Sequence, residues 1–496
     1  MLHVSVRALD VAALTALGHS PRSACSALAS RVLARGRGLF WLDSARTDPA
    51  GEQDEGARWS VLGDACPMPG ADAPEVLRLE DPADPTVWGT LTRRLAPRTV
   101  VGGEGLPLRG GWVGFLSYEL GVASLGVAVP GGREVPAALW VRPARYAVLD
   151  HVTGTLHCCV VGEDPTTLQH AADRWEQAVR AGLSAVPDGG TAMVGDAEAG
   201  DGAEAGRVRP AGDAVVEGRW RHDHAAYSAL IRRCHRALRD GESYELCLTT
   251  RFEADPAVRI DPLALFEDLR AHHPTPYAAL FEHHGPEGPL AVVSASPERF
   301  LSGRGGRYST KPIKGTAARE PDPQRDAAAA RALTEDPKTR AENLMIVDLL
   351  RNDLSTVCVP GSVQVPALMA VESYASVHQL VSTVTGTARE GVEPLDVVRA
   401  LFPGGSMTGA PKRRTVELLT AWEAAPRGVY SGALGMFSAD GAVELNIVIR
   451  TAVLAGGRWS IGAGGAIVAD SDADAEYDEV LLKARSVRAA MARTAG

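Results

Sequence analysis

Apolar positions along this chain recur with two periods, and the switches between them divide it into elements. Before residue 186, the segments GLFWLDSA, RWSVLGDA, GGWVGFLSYEL and ALWVRPARYAVLDHVTGTLHCCVV are short apolar runs broken by Gly, Pro and Asp, which predicts strands. A helical period follows over 167–183, so the N-terminal part reads as mixed α+β. From 186 to 218 the periodicity vanishes. The stretch VPDGGTAMVGDAEAGDGAEAGRVRPAGDAVVEG is rich in Gly, Ala and Asp and predicts an exposed linker or long loop between an N-terminal region, 1–185, and a second region, 219–496.

Beyond the linker, HAAYSALIRRCHRALRDG carries an amphipathic stripe stopped at Gly241, and YELCLTTRFEA and LAVVSASPERFLS read as strands. DPKTRAENLMIVDLL, over 336–350, predicts a helix. From Gly428 the runs lengthen. GVYSGALGMFS, a turn at Asp440 and Gly441, AVELNIVIRTAVL, a further glycine turn and RWSIGAGGAIVA predict an antiparallel meander.

Composition narrows the class. With 496 residues, 45% hydrophobic and 23% charged, the chain buries a sizeable core. A net charge of -10 without a basic stripe argues against nucleic-acid binding. Seven scattered cysteines, never spaced as CxxC, disfavour a disulfide framework or a zinc site and suit a reducing cytoplasm. No apolar run approaches the roughly 18 residues of a membrane span, and MLHVSVRALD lacks a signal-peptide apolar core, so a soluble, unprocessed protein is expected. Only five lysines stand against 46 arginines, and all lie between Lys311 and Lys483. Codon bias accounts for the scarcity but not for the clustering, and lysine, unlike arginine, can lose its proton and become a nucleophile.

Several groups could carry chemistry. Glu342 shares a helix face with Met345, Ile346 and Leu349, so its carboxylate should meet a cation, either an arginine or a metal. Glu476, Glu479 and Lys483 form one stripe of the last helix, which suits either a site wall or a surface ion-pair ladder. Carboxylates from two helices would suit magnesium, with an anionic substrate completing its shell. Gly464 and Gly465, Arg450, and the turn PGGSMTGAPK could each hold an anion. Glu298 in SPERF and Lys314 in KPIKGT lie across a predicted hairpin. They form either a surface salt bridge or a buried acid and amine, and burial would raise the carboxyl pKa and lower that of the lysine.

Taken together and in this order, GESYELCLTTRF, SPERF, PIKGT, RAENLMIVDLLRNDL, LFPGGSMTGAPK, IRTAVL, GAGGAIVADS and AEYDEVLLKA resemble the chorismate-utilising enzymes over Trp220 to Arg488. The family comprises the anthranilate, aminodeoxychorismate, isochorismate and salicylate synthases. The resemblance implies an α+β fold of two large mostly antiparallel sheets packed together and flanked by helices. It implies Lys314 as a nucleophile and Glu298 as the general acid, since Lys between PI and GT is the mark of the aminodeoxychorismate branch. It further implies magnesium on Glu342 and Glu479, with Glu476 nearby. Chorismate would be bound by Gly315, Thr316, Ser406, Tyr430, Arg450, Gly464, Gly465 and Lys483. Gln379, where anthranilate synthases carry histidine, and Glu245, where isochorismate synthases carry lysine, agree with that branch. A tryptophan pocket would map to Ser44, Pro276, Tyr277 and Ala278. Ammonia would come from a glutamine amidotransferase subunit, because no glutaminase motif is present in the sequence. The rival expectations are an anthranilate synthase component I and a non-catalytic regulatory subunit.

Overall fold

The computed structural model describes residues 1–33, 38–44, 58–68, 71, 73–184, 215–374 and 377–495. Of the expected linker, 186–214 lies outside the described residues. Of its last four residues Val216 is buried: its N–H donates to the carbonyl of Arg488 at 3.2 Å, and Arg488 returns a bond to its carbonyl at 3.0 Å.

Two sheets form the centre, one of thirteen strands and one of ten. The first runs Gly218–Trp220, Glu245–Ala254, Arg458–Ile467, Thr451–Ala455, Gly288–Ser296, Tyr277–Gly285, Phe40–Asp43, Trp59–Gly63, Arg145–Asp150, Thr155–Gly162, Leu2–Leu9, Val100–Val101, with Gly409–Ala410 also on Glu245–Ala254. The second runs Ile313–Ala318, Val377–Thr387, Arg307–Lys311, Arg299–Arg304, Val443–Ile447, Ala433–Ser438, Gly111–Leu116, Ala138–Arg142, Glu75–Leu79, with Gln364–Ser373 also on Val377–Thr387. Among the described pairings, only Leu2–Leu9 with Val100–Val101 is parallel. Strands from both sides of the 186–218 stretch enter each sheet: Phe40–Asp43 pairs with Tyr277–Gly285, and Gly111–Leu116 with Ala433–Ser438.

Strand alternation sends odd and even side chains to opposite layers. Phe40, Phe115, Leu139, Val141 and Phe281 meet between the sheets, where Phe115 and Phe281 pack edge to face at 6.0 Å. Trp41 and Leu280 point outward to a core covered by helices Pro21–Arg31, Pro165–Ser184, His224–Arg239, Pro262–His272 and Ala473–Thr494. Trp112, Trp140 and Phe437 point out of the other sheet toward helices Val87–Leu95, Pro337–Ser355 and Pro394–Leu401. The result is helix, sheet, sheet, helix.

Two expectations are corrected. GGWVGFLSYEL is not strand throughout: after Gly111–Leu116 the chain turns at Ser117 into helix Tyr118–Ser124, and buried Glu119 accepts the backbone N–H groups of Arg427 and Gly428. The C-terminal meander is broken. Val443–Ile447 belongs to the second sheet and Thr451–Ala455 to the first, so AVELNIVIRTAVL crosses between sheets at 448–450. Both flanking strands are apolar because both are buried, so hydropathy does not show the crossing.

Candidate active site

Two of the places where the chain crosses between the sheets are neighbours. One is Pro297–Glu298, between Gly288–Ser296 in the first sheet and Arg299–Arg304 in the second; the other ends at Arg450. Hydrogen bonds tie them side by side. Ser296 Oγ donates to the Ile447 carbonyl at 2.6 Å, Ile447 N–H to the Glu298 carbonyl at 3.0 Å, and Ala295 N–H to the Arg450 carbonyl at 3.1 Å. Arg450 holds a left-handed backbone, φ 53, a strained conformation for a non-glycine residue that concentrates at functional sites.

The hairpin expected between SPERF and KPIKGT is present, with Arg299 opposite Lys311. It brings Glu298 and Lys314 to the same end. Lys314 stands in a bulge: Ile313 pairs with Val381 but Thr316 with Gln379, so one residue is extra. Gly315 makes the bulge possible with φ +86; a Cβ there would stand 2.5 Å from Thr339 Cγ2 and 2.9 Å from Leu333 Cδ1.

Buried Lys314 donates to Glu245 Oε1 at 2.7 Å and lies 3.7 Å from Glu342 Oε2. Burial alone would weaken its hold on a proton, as the sequence suggested. The structure reverses that expectation: the Glu245 and Glu342 carboxylates outweigh burial and hold Lys314 as an ammonium, its pKa raised. Glu298 behaves as expected, since burial pushes its carboxyl up to about 7. The Ser406 hydroxyl and the Lys314 and Lys483 ammonium charges oppose that rise. The Ser406 hydroxyl is buried without a hydrogen bond of normal geometry.

Glu342 on Pro337–Ser355 faces the site, its pKa raised by burial against the pull of Lys314. From helix Ala473–Thr494, Glu476 accepts Lys338 Nζ at 3.0 Å and Ser471 Oγ at 2.6 Å, and Glu479 pairs with Lys483 at 2.7 Å. Lys338 Nζ also lies 3.9 Å from Glu342 Oε1. Glu476 and Glu479 converge on the bare face of Gly465, where an added Cβ would stand 3.0 Å from Glu476 Oε2 and 3.9 Å from Glu479 Oε1. Among the described residues no three such side chains close on one point, and lysines hold the carboxylates. Two carboxylates facing a space made by a missing Cβ, with Glu342 across Lys338 from Glu476, fit a hard divalent cation that keeps water and substrate oxygens in its shell.

The remaining expected contacts differ in burial and partners. Lys483 Nζ donates to the Gly464 carbonyl at 2.9 Å. The Tyr430 ring lies against Gly462 on the same strand, where an added Cβ would stand 2.1 Å from Cγ. Arg450 makes no hydrogen bond or ion pair with a carboxylate among the described residues. Burial depresses its pKa while the Glu479 and Tyr430 charges oppose this, yet a guanidinium stays charged and free to take a substrate carboxylate. Thr316 is exposed beside Lys314, and Gln379 is buried opposite it. Ser44, Pro276, Tyr277 and Ala278 come together elsewhere, lining a cavity of about 280 Å³ with Trp59, Glu444 and Asn446.

Sequence reasoning gave no catalytic place to Glu245 or Lys338. A carboxylate within the apolar strand ELCLTT was the available signal, because a fully buried carboxylate requires a cation. The glycine turn also has its anchors. Buried Arg427, paired with Glu423 at 2.7 Å, donates to the carbonyls of Met407 at 2.7 Å and Cys247 at 2.9 Å. Lys412 clamps Asp353 at 2.6 Å and the Leu401 carbonyl at 2.9 Å.

A family profile described as chorismate binding enzyme matches residues 53–489. The aminodeoxychorismate synthase of Streptomyces griseus is 43% identical over 465 residues, covering 90% of this chain and 60% of the relative. That of Streptomyces pristinaespiralis is 41% identical over 466 residues, covering 91% and 61%. The chain thus spans about three-fifths of the length of these relatives. The crystal structure of anthranilate synthase component I from Streptococcus pneumoniae superposes with a TM-score of 0.70 at 25% identity, covering 90% of this chain and 95% of that one. The profile takes in strands of both sheets and every candidate residue but Ser44, and the fold is shared, so the chain belongs to the chorismate-binding enzyme family.

Proposed function

We propose that the chain is the chorismate-aminating component of an aminodeoxychorismate synthase, converting chorismate and ammonia to 4-amino-4-deoxychorismate for 4-aminobenzoate in folate or specialised metabolism. The observation that carries this reading is a buried lysine amine beside a carboxyl whose pKa is near 7. The two are an acid and a latent nucleophile in one space. Lys314 gives a proton to Glu245, 2.7 Å away, and its freed amine attacks ring carbon 2. Both conjugated ring double bonds shift by one place, the bond from carbon 4 to its hydroxyl breaks, and protonated Glu298 supplies the proton that makes the leaving group water. Ammonia then adds at carbon 4 and gives a proton to the Glu298 carboxylate, both double bonds return, and the carbon 2 bond to Lys314 breaks as its amine takes its proton back from Glu245. The pyruvyl ether survives.

Glu342, Glu476 and Glu479 would hold Mg2+, which supplies countercharge for a substrate carboxylate in a site already rich in carboxylates. Arg450 and the backbone at Gly464 and Gly465 bind the substrate's anionic groups, with Gly315, Thr316, Ser406, Tyr430 and Lys483 lining the rest. Ammonia is supplied by a glutamine amidotransferase. The described residues contain no helix long and apolar enough to cross a membrane, and seven unpaired cysteines suit a reducing cytoplasm. The cavity at Ser44 and Tyr277 would take an aromatic amino acid such as tryptophan.

Purified chain with chorismate, Mg2+ and ammonium should yield 4-amino-4-deoxychorismate without pyruvate, read by mass spectrometry. Anthranilate with stoichiometric pyruvate would overturn the reading in favour of an anthranilate synthase. No turnover even with an amidotransferase would favour a non-catalytic subunit.

A further inference from the structure

Lys338 is the one charged group of the carboxylate cluster to which the proposed chemistry gives no task. It rises from the first turn of Pro337–Ser355 and places its ammonium between the two helices, 3.0 Å from Glu476 Oε1 and 3.9 Å from Glu342 Oε1. Glu476 is buried, and its other side-chain hydrogen bond comes from a neutral hydroxyl, Ser471 Oγ at 2.6 Å. Lys338 is about half exposed although its ammonium is engaged by the cluster.

We propose that Lys338 is a built-in counter-cation that neutralises the Glu342 and Glu476 pair when no metal is bound and is displaced by Mg2+ when the metal enters. Resting on the magnesium site proposed above, the inference makes Lys338 the residue that sets metal affinity. Four carboxylates, Glu245, Glu342, Glu476 and Glu479, face three ammonium groups, Lys314, Lys338 and Lys483. Lys314 is committed to Glu245, and Lys483 also donates to the Gly464 carbonyl. Lys338 is the most exposed of the three, with the shortest route into water. A metal entering between Glu342 and Glu476 meets its ammonium first, so the metal's net affinity is its intrinsic affinity less the cost of moving that charge.

The test is Mg2+ titration by calorimetry without substrate, alongside thermal unfolding with and without Mg2+, on the wild type, Lys338→Met and Lys338→Gln. Removing the competitor should tighten Mg2+ binding about threefold to fivefold, the scale of one partly exposed ion pair. The metal-free variants should melt lower than the wild type, because buried Glu476 loses its cation, and Mg2+ should raise their melting temperature by more. Lys338→Gln keeps a donor for Glu476 without the charge, so it reports should Lys338→Met fail to fold. Lys311→Met, which removes an ion pair to Glu372 at 2.8 Å, should leave Mg2+ affinity unchanged. Unchanged or weaker Mg2+ binding in both Lys338 variants would overturn the inference, because a lysine that merely orients Glu476 would help the metal. Wild-type product analysis tests the reaction separately: anthranilate there would sink the function while leaving the affinity result standing.

Discussion

Replacing Glu298 with Gln should stabilise the protein at alkaline pH and not at acid pH, while abolishing turnover. Glu298 is 6% exposed, and burial raises its pKa from 4.5 to about 7. In the unfolded chain the carboxyl ionises near 4.5; in the folded protein it resists until about 7. Below 4.5 both states hold the proton and Glu298 carries no penalty. As pH rises through the window from 4.5 to 7 the unfolded state ionises first, so stability falls, and above 7 the loss is complete. A shift of this size corresponds to about 3 kcal/mol. Gln is nearly isosteric, keeps a polar head for Ser406, and cannot ionise. The difference in unfolding free energy between Glu298→Gln and wild type should therefore grow from near zero at pH 4.5 to about 3 kcal/mol at pH 8. Denaturant unfolding of both proteins at matched pH values reads it. Parallel stability profiles across that window would refute the reasoning, because they would mean that folded Glu298 is ionised and compensated. Turnover should fail at every pH, since an amide cannot donate the proton that makes the 4-hydroxyl leave as water.

Lys314→Arg should form no covalent adduct with chorismate, measured as the intact mass of acid-quenched enzyme, because a guanidinium cannot be deprotonated here; the wild type should show chorismate less water. Gly315→Ala places a Cβ against Thr339 and Leu333 in a left-handed backbone, so it should cost about 1–3 kcal/mol in denaturant unfolding and lower kcat by moving Lys314. Arg427→Ala leaves buried Glu423 without its cation and frees the Met407 carbonyl, so it should destabilise by about 3–5 kcal/mol, read by the same unfolding assay. Low-temperature rescue of activity in that variant would show that Arg427 acts through folding rather than on the substrate.

Much of the site was legible because its parts are local. The helix at Pro337–Ser355, with Glu342 on its inner side, follows from side-chain period, and the stripe of Glu476, Glu479 and Lys483 from spacing by three and four. The hairpin that carries Glu298 and Lys314 to one end follows from two strands and a glycine turn at Gly305 and Gly306. The family motifs, read as strings, are the source of the chemistry proposed for these residues. Each of these depends on neighbours within one or two elements, which is the range over which periodicity and turn chemistry act.

Only the tertiary structure decided the rest. Two buried strands look alike in sequence whether or not they share a sheet, so the crossings at Glu298 and Arg450, which build the site floor, left no trace in hydropathy. The proton affinity of Lys314 was misjudged for a related reason. Burial can be read from pattern, but Glu245, 69 residues away, arrives through strand Glu245–Ala254 of the other sheet, and its charge outweighs the burial. The five lysines show the same division. Their clustering is a property of the sequence, whereas the acid that each one meets, Glu372, Glu245, Glu476, Asp353 or Glu479, is chosen by packing between elements far apart in the chain.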